Sequence, residues 1–146
     1  MNAPEKITLH DVQSQPDSRN IPIDAVGIKD MRYPVTIQAG ERLVPTIATL
    51  SMTVGLAAIA KGTHMSRFIE LLEAQTEALS MLRFKGIVLD MLGRLGANSG
   101  TIEMRFPYFV KKAAPISGVQ SQLDYEVCWQ GSVSDYGRYS FWMHVM

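Results

Sequence analysis

Residues 47–72 read IATLSMTVGLAAIAKGTHMSRFIELL, and they decide the fold because the spacing of apolar residues changes within them. From Ala48 to Leu56 every second residue is apolar, which is typical of a half-buried strand. From Gly62 to Leu79 the apolar residues recur three or four positions apart, which is typical of an amphipathic helix. The sequence therefore predicts a strand that gives way to a helix near Gly62.

Another strand is predicted before this stretch. Apolar and polar residues alternate from Gly27 to Ala39, and residues 39–41 are typical of a turn into the strand that follows. Pro34 lacks the N–H that a ladder hydrogen bond needs, so it indicates a sheet edge or a bulge. The two strands are expected to pair as a hairpin.

A second helix is predicted after the first. Its apolar residues keep the helical spacing from Phe84 to Leu95. Gly93 and Gly96, near the end of this pattern, are residues that stop helices.

The rest of the chain alternates as strands again. A third strand is predicted within residues 101–110, a fourth within 119–130, and a fifth from Arg138 that is still running at Met146. A strand that stops without a turn is unusual at a natural terminus, so we expect a truncated or proteolysed chain. The order ββααββ predicts an α+β fold with two helices packed on one face of an antiparallel sheet.

These patterns divide the chain into three segments. Residues 1–26 are predicted to be an N-terminal arm, because their first twenty positions are polar and show no sustained period. Residues 27–131 carry the predicted strands and helices of one module. Residues 132–146 are interpreted as the start of a further strand.

The composition excludes several classes of function. The 146 residues fit one domain, and 14 basic residues balance 14 acidic ones. This balance removes the broad positive field that nonspecific nucleic-acid binding needs, although it allows a local anion site. No apolar run reaches the roughly 20 residues that span a bilayer, and the sequence shows neither a secretory signal nor a pair of cysteines. We therefore expect a cytoplasmic protein without a nucleic-acid or membrane partner.

Residues Lys61–Phe68 carry most of the chemistry, because they open the first predicted helix. A helix start offers unpaired N–H groups and a partial positive charge to an anion. Lys61 and Arg67 add two full charges, Ser66 supplies a hydroxyl, and the imidazole of His64 donates to phosphate or titrates near neutral pH. These four side chains are the candidate phosphate-binding residues.

A purely structural explanation of the same residues stays open. Thr63 would then be an ordinary helix cap, Arg67 would pair with Glu70 one turn later, and His64 would be an exposed loop residue. The spacing matches neither a Walker loop nor a dinucleotide fingerprint, so it does not specify the ligand.

Two strand residues are a weaker candidate for a metal site. Zinc binding by Cys128 and His144 requires a strand pairing that the sequence does not show. A small, half-buried structural cysteine is therefore the favoured interpretation of Cys128.

Charged residues elsewhere are also weak candidates. Arg19 and Arg32 would reach a phosphate across a subunit boundary, but arginines beside aspartates are more typical of surface ion pairs. Asp124 and Glu126 alternate on one strand face among glutamines. That pattern favours a solvated or tunnel-facing surface over an acid–base pair.

Three blocks in order along the chain point to a family. The first runs from Asp11-Val12-Gln13 to Arg32-Tyr33-Pro34, the second is Lys61–Phe68, and the third joins Phe106–Phe109 to Ala114–Gly118. Together they resemble the type IB family of GTP cyclohydrolase I, which belongs to the tunnelling-fold (T-fold) superfamily. The resemblance covers nearly the whole chain and implies that residues 27–131 are the first T-fold module, in the N-terminal portion of a longer protein.

The resemblance also implies a fold and an activity. Antiparallel sheets from several subunits would close into a barrel with the helices outside, in a homotetramer with active sites at subunit interfaces. The full-length enzyme would hydrolyse GTP to 7,8-dihydroneopterin triphosphate and formate for folate or related pathways. Lys61, His64, Ser66 and Arg67 would hold the triphosphate, and a divalent metal ion, zinc or manganese, would activate the attacking water.

The sequence departs from the family pattern in one respect. The family's metal-binding cysteine belongs to a Leu-Cys-Pro-Cys segment, which does not occur in these residues. No catalytic or metal-binding residue is therefore predicted in this chain, which alone is expected to be inactive without the missing C-terminal module. Two other functions stay open, namely a non-catalytic T-fold assembly module and a T-fold enzyme that acts on another purine- or pterin-like substrate.

Overall fold

A computed structural model describes residues 16, 18–19, 21–57 and 63–146 of the chain. In chain order the elements are β1 (Ile23–Ala39), β2 (Arg42–Leu56), α1 (Ser66–Glu73), α2 (Met81–Leu95), β3 (Gly100–Ala113), β4 (Gln120–Val133) and β5 (Tyr139–Val145). The strands form one antiparallel sheet in the order β1-β2-β3-β4-β5, so each strand pairs with its neighbour in sequence.

One face of the sheet carries the hydrophobic core. Alternate residues of β2, β3 and β4 are buried there, together with the apolar residues that recur three or four positions apart on both helices. All belong to a single cluster, whose largest fully buried side chains are Phe68, Phe84, Met52, Leu71, Met91, Ile102 and Met104. The predicted α+β class is therefore confirmed, with both helices packed against the same sheet face.

The predicted element order ββααββ is wrong, because the structure has ββααβββ. β5 pairs with β4 along its whole length, from Val133↔Tyr139 to Val127↔Val145. The physical reason is that β4 needs hydrogen-bond partners on both sides. In addition, Tyr139 and Phe141 pack against the core, so burial of apolar surface also holds β5 in place.

The connection between the helices is fixed to the outer edge of β1. The N–H of Leu79 donates to Thr36 O at 2.7 Å, and the N–H of Gln38 donates to Leu79 O at 2.8 Å. The hydroxyl of Ser80 then accepts a hydrogen bond from the N–H of Arg83 and caps α2. This bridge places the start of α2 beside the β1–β2 hairpin.

The C-terminal end of α2 explains one of the two predicted helix stops. Gly96 follows the helix with φ 60° and ψ 34°, the left-handed conformation that ends many helices. Gly93 lies inside α2, on its exposed surface, so it does not stop the helix.

We expect alanine to have opposite effects at these two glycines. Gly93→Ala should raise the free energy of unfolding by about 0.5–1 kcal/mol, because alanine favours a helix interior and nothing lies within 4 Å of a Cβ placed there. Gly96→Ala should lower it by about 1–2 kcal/mol, because a Cβ is strained at positive φ. Urea unfolding of both variants measures the difference, and equal stability of the two would contradict the assignment of the helix end.

Candidate functional site

Helix α1 begins without a side-chain cap. Met65 is the N-cap residue, with φ −59° and ψ −32°, and no side chain accepts a hydrogen bond there. The N–H of Arg67 donates to His64 O at 3.1 Å and that of Phe68 to Met65 O at 3.2 Å, so the first turn is tight. The positive end of the helix dipole is therefore not neutralised by a capping carboxylate or hydroxyl.

The alternative in which Thr63 caps this helix is wrong. Thr63 is buried, with 7% of its surface exposed, and α1 has no side-chain cap. The sequence allowed the mistake because a threonine shortly before an apolar helical pattern is a typical capping signal.

Arg67 is held by the other helix. Its Nη1 donates to the main-chain O of Arg94 at 2.8 Å, in the last turn of α2. A cation stabilises that end of a helix because the last carbonyl groups lack partners within the helix. This contact, rather than the pairing with Glu70 considered from the sequence, is the hydrogen bond that the structure gives the Arg67 side chain.

The structure brings three of the four candidate phosphate-binding residues together. His64, half-buried, lies two residues before α1, and exposed Ser66 and half-buried Arg67 are the first two residues of that helix. Lys61 lies outside the described residues, and so does His10 of the N-terminal arm. The guanidinium of Arg67 has five N–H donors, so the bond to Arg94 leaves donors for a second acceptor.

A second group of polar residues lies on the opposite face of the sheet, and sequence reasoning missed its centre. Nη2 of Arg105 on β3 donates to Oδ1 of Asp30 on β1 at 2.8 Å, and its Nε lies 3.4 Å from Oε1 of Glu103. Asp30 adopts a left-handed φ of 55° at a register shift of β1, and its N–H donates to Ser51 Oγ at 3.2 Å. In the sequence, the only sign of this polar group was that Arg105 alternates with the buried residues of β3.

The remaining weak candidates do not form a reactive pair in the described part of the chain. Asp30 pairs with Arg105 rather than with its neighbour Arg32, which is exposed. Asp124 and Glu126 are both exposed, which agrees with a solvated surface.

Cys128 and His144 do pair across strands, yet they do not make a metal site. Cys128 lies opposite Arg105 on β3 and opposite His144 on β5. Among the residues that the structure describes, no group of three or more His, Cys, Asp and Glu side chains is arranged to hold a metal ion. Burial raises the pKa of the Cys128 thiol, and Glu103 and Glu126 raise it further against the opposing effect of Arg105. The free thiol is therefore protonated at neutral pH.

Within residues 21–57 and 63–146, neither helix is long and apolar enough to cross a bilayer.

Comparison with known proteins identifies similar chains. A family model described as type I GTP cyclohydrolase FolE2 matches residues 9–146. The chain is 48% identical over 149 residues to the GTP cyclohydrolase FolE2 of Neisseria meningitidis serogroup C, strain FAM18, covering 100% of this chain and 50% of that protein. It is 54% identical over 128 residues to GTP cyclohydrolase FolE2 1 of Dechloromonas aromatica, covering 86% of this chain and 48% of that protein.

A third relative is covered to a similar extent. The GTP cyclohydrolase FolE2 of Azoarcus sp. strain BH72 is 46% identical over 147 residues, which are 100% of this chain and 55% of that protein. The chain thus spans about half the length of the curated relatives it matches.

We expect the Cys128 thiol to react slowly with iodoacetamide near pH 7.5, and faster as the pH rises past its raised pKa. Glu103→Gln should speed alkylation at a fixed pH, because it removes the carboxylate that raises the pKa of the thiol most. Mass spectrometry follows the reaction of this chain's single cysteine. Glu70→Gln, at an exposed position of α1, is the matched control and should leave the rate of alkylation unchanged. A Glu103→Gln rate equal to that of the control would contradict the electrostatic explanation.

Proposed function

The chain belongs to the type I GTP cyclohydrolase FolE2 family, and from this we propose that its full-length protein is a type IB GTP cyclohydrolase I. The reaction is the hydrolysis of GTP to 7,8-dihydroneopterin triphosphate and formate, in folate or related pathways. The chain is the N-terminal module of that protein, which accounts for its coverage of about half of each relative. The support is the match to the family over residues 9–146 together with the names of relatives at 46–54% identity.

The same proposal includes the T-fold and a homotetramer with active sites between subunits. An antiparallel sheet with both helices on one face is compatible with a barrel wall whose outer layer is helical. In the described part of the chain, β1 and β5 are the outer strands, and each pairs with another strand on one side. The outer edge of β5, and that of β1 away from the Leu79 bridge, are suited to pairing with a neighbouring module or subunit.

The triphosphate site of the proposal is the start of α1. Lys61, His64, Ser66 and Arg67 hold the phosphates beside the positive end of the α1 dipole. The observation that carries this assignment is the uncapped helix start with a guanidinium beside it. Hydrogen bonds from charged donors to phosphate are short and strong, and arginine can bind phosphate through two N–H groups at once.

Arg67 has two tasks in this site. Its bond to Arg94 O holds the guanidinium in place beside the first turn of α1. A side chain that is already oriented loses less conformational entropy when it binds a phosphate. The residues of this chain therefore bind and orient the triphosphate, while the bond-breaking chemistry takes place on the purine ring.

The divalent metal ion that the family resemblance implies, zinc or manganese, does not fit the described residues of this chain. Cys128 and His144 are two donors where a catalytic zinc site uses three protein ligands. The ligands therefore lie outside this chain in the proposal, and we assign no step to the ion. For the same reason the N-terminal module alone is inactive.

The proposal is tested on the full-length protein, which is free of metal for the binding measurement so that GTP is not consumed, and metal-replete for formate release. Calorimetry with GTP should show that Arg67→Ala weakens binding by about 1.5–3 kcal/mol, the range for one hydrogen bond to a charged group. This corresponds to at least about a tenfold rise in Kd. Ser66→Ala, which removes an exposed hydroxyl that does not cap α1, should weaken binding less.

Arg94→Ala is the matched control, because it removes a nearby positive charge and keeps the main-chain carbonyl that Arg67 binds. GTP affinity unchanged in Arg67→Ala would remove the start of α1 as the triphosphate site. Failure of the full-length protein to release formate from GTP would refute the enzymatic proposal itself. The open edges of β1 and β5 would then favour the second candidate, a non-catalytic assembly module.

A further inference from the structure

The helices cover only part of the apolar face of the sheet. β2 pairs with β3 over Thr49–Val54, and β5 pairs with β4 over Val127–Val133. Beyond these spans, β3 and β4 continue together as a two-stranded ribbon that reaches Ala113 and Gln120. This ribbon carries the apolar face past the start of α2.

Apolar cross-strand pairs continue along the ribbon and become more exposed. Phe106 and Val127 form a buried pair. The next pair outward, Tyr108 and Tyr125, is half-buried, and the pair after that joins half-buried Val110 to Leu123, which is 40% exposed. The side chains alternate along each strand, so all three pairs lie on the face that carries the core.

A cleft of about 680 Å³ lies over this part of the face. Trp129 lines it as a buried residue, and Tyr108, Val110 and Tyr125 line it along the ribbon. The other walls include Met143 and Val145 of β5, and Met81 at the start of α2, which are 52%, 55% and 55% exposed. We call this the distal cleft.

We propose that the C-terminal half of the full-length protein covers the distal cleft with apolar side chains. The proposal rests on the proposed function, in which this chain is the N-terminal module. It adds a particular docking surface to that function. A contiguous exposed apolar surface of this kind is typical of an interaction site in a folded protein.

Two observations favour the C-terminal half over any other occupant. The relatives are about twice as long as the matched region, so a second half of similar size belongs to the same polypeptide. β5, the last strand of the described chain, forms one wall of the cleft. Elements that follow one another in sequence are usually neighbours in space, and a covalently joined half has a high effective concentration at this surface.

Photo-crosslinking of the full-length protein tests the proposal. p-Benzoylphenylalanine in place of Tyr125 lies in the cleft, and the same residue in place of Phe109 is the matched control on the opposite face of the ribbon. An equal mixture of unlabelled and ¹⁵N-labelled protein separates crosslinks within one chain from crosslinks between chains. The expected product joins position 125 to a peptide C-terminal to residue 146 of the same chain, and position 109 does not give that product.

A second measurement needs no variant. In the unmodified full-length protein, Met81 and Met143 should be oxidised by hydrogen peroxide much more slowly than in the same protein unfolded in urea, because oxidation follows exposure. In this chain their exposed fractions are 55% and 52%, so slow oxidation of both requires a cover over the cleft. Peptide mass spectrometry gives the rates.

Each result decides the proposal. A crosslink from position 125 to a second copy, to a foreign protein or to nothing would overturn it, and so would oxidation of Met81 and Met143 in the folded protein as fast as in urea. Formate release from GTP is measured on the same samples. A crosslinked, protected protein without formate release would refute the enzymatic function and leave the docking surface intact, whereas an active protein with an open cleft would refute only the docking surface.

Discussion

The fold depends on the close approach of α2 to β4 at Gly131. A Cβ placed on Gly131 would lie 3.0 Å from Cε1 of Phe84 and 3.0 Å from Cγ2 of Val88, so any larger residue would require these two side chains of α2 to shift. At this distance the ring of Phe84 meets Trp129 of β4 edge-on, with centroids 5.7 Å apart, and Phe141 of β5 at 6.0 Å. Edge-to-face pairs of this kind contribute about 0.5–1.5 kcal/mol each beyond the area they bury. One helix therefore holds both β4 and β5 in the sheet.

The opposite face of the sheet carries the polar residues, because side chains alternate along each strand and the apolar ones face the helices. Its central contacts join Arg105 to Asp30 and Glu103, with all three side chains between 39% and 55% exposed. Exposed ion pairs contribute little stability. Their effect is to orient Arg105 and to join the bulge of β1 to β3, so this face has a fixed charge pattern.

Local spacing predicted most of the elements, and long-range contacts account for what it missed. The change of period near Gly62 separates β2 from α1, and Gly96 ends α2 as predicted. The Arg67 bond reaches Arg94, 27 residues away, and Arg105 reaches Asp30, 75 residues away, so neither partner has a signature in nearby sequence. The same holds for β5, whose place in the sheet depends on the free side of β4 rather than on its own alternation.

The chemistry of the described residues suits binding better than bond breaking. The thiol of Cys128 is protonated and the guanidinium of Arg105 is held by carboxylates, whereas the start of α1 presents the positive end of a helix dipole and a cation to an anion. On our proposal, the phosphates are then held by this half and the purine ring reacts at residues of the other half or of another subunit.

Such a division works only if the two parts are joined rigidly, since misplacement by about 1 Å can cost two orders of magnitude in rate. A small polar contact between domains permits relative motion, whereas burial of an apolar surface such as the distal cleft restricts it. The need for rigidity is therefore a functional reason for a binding module to keep apolar residues exposed beyond its own core.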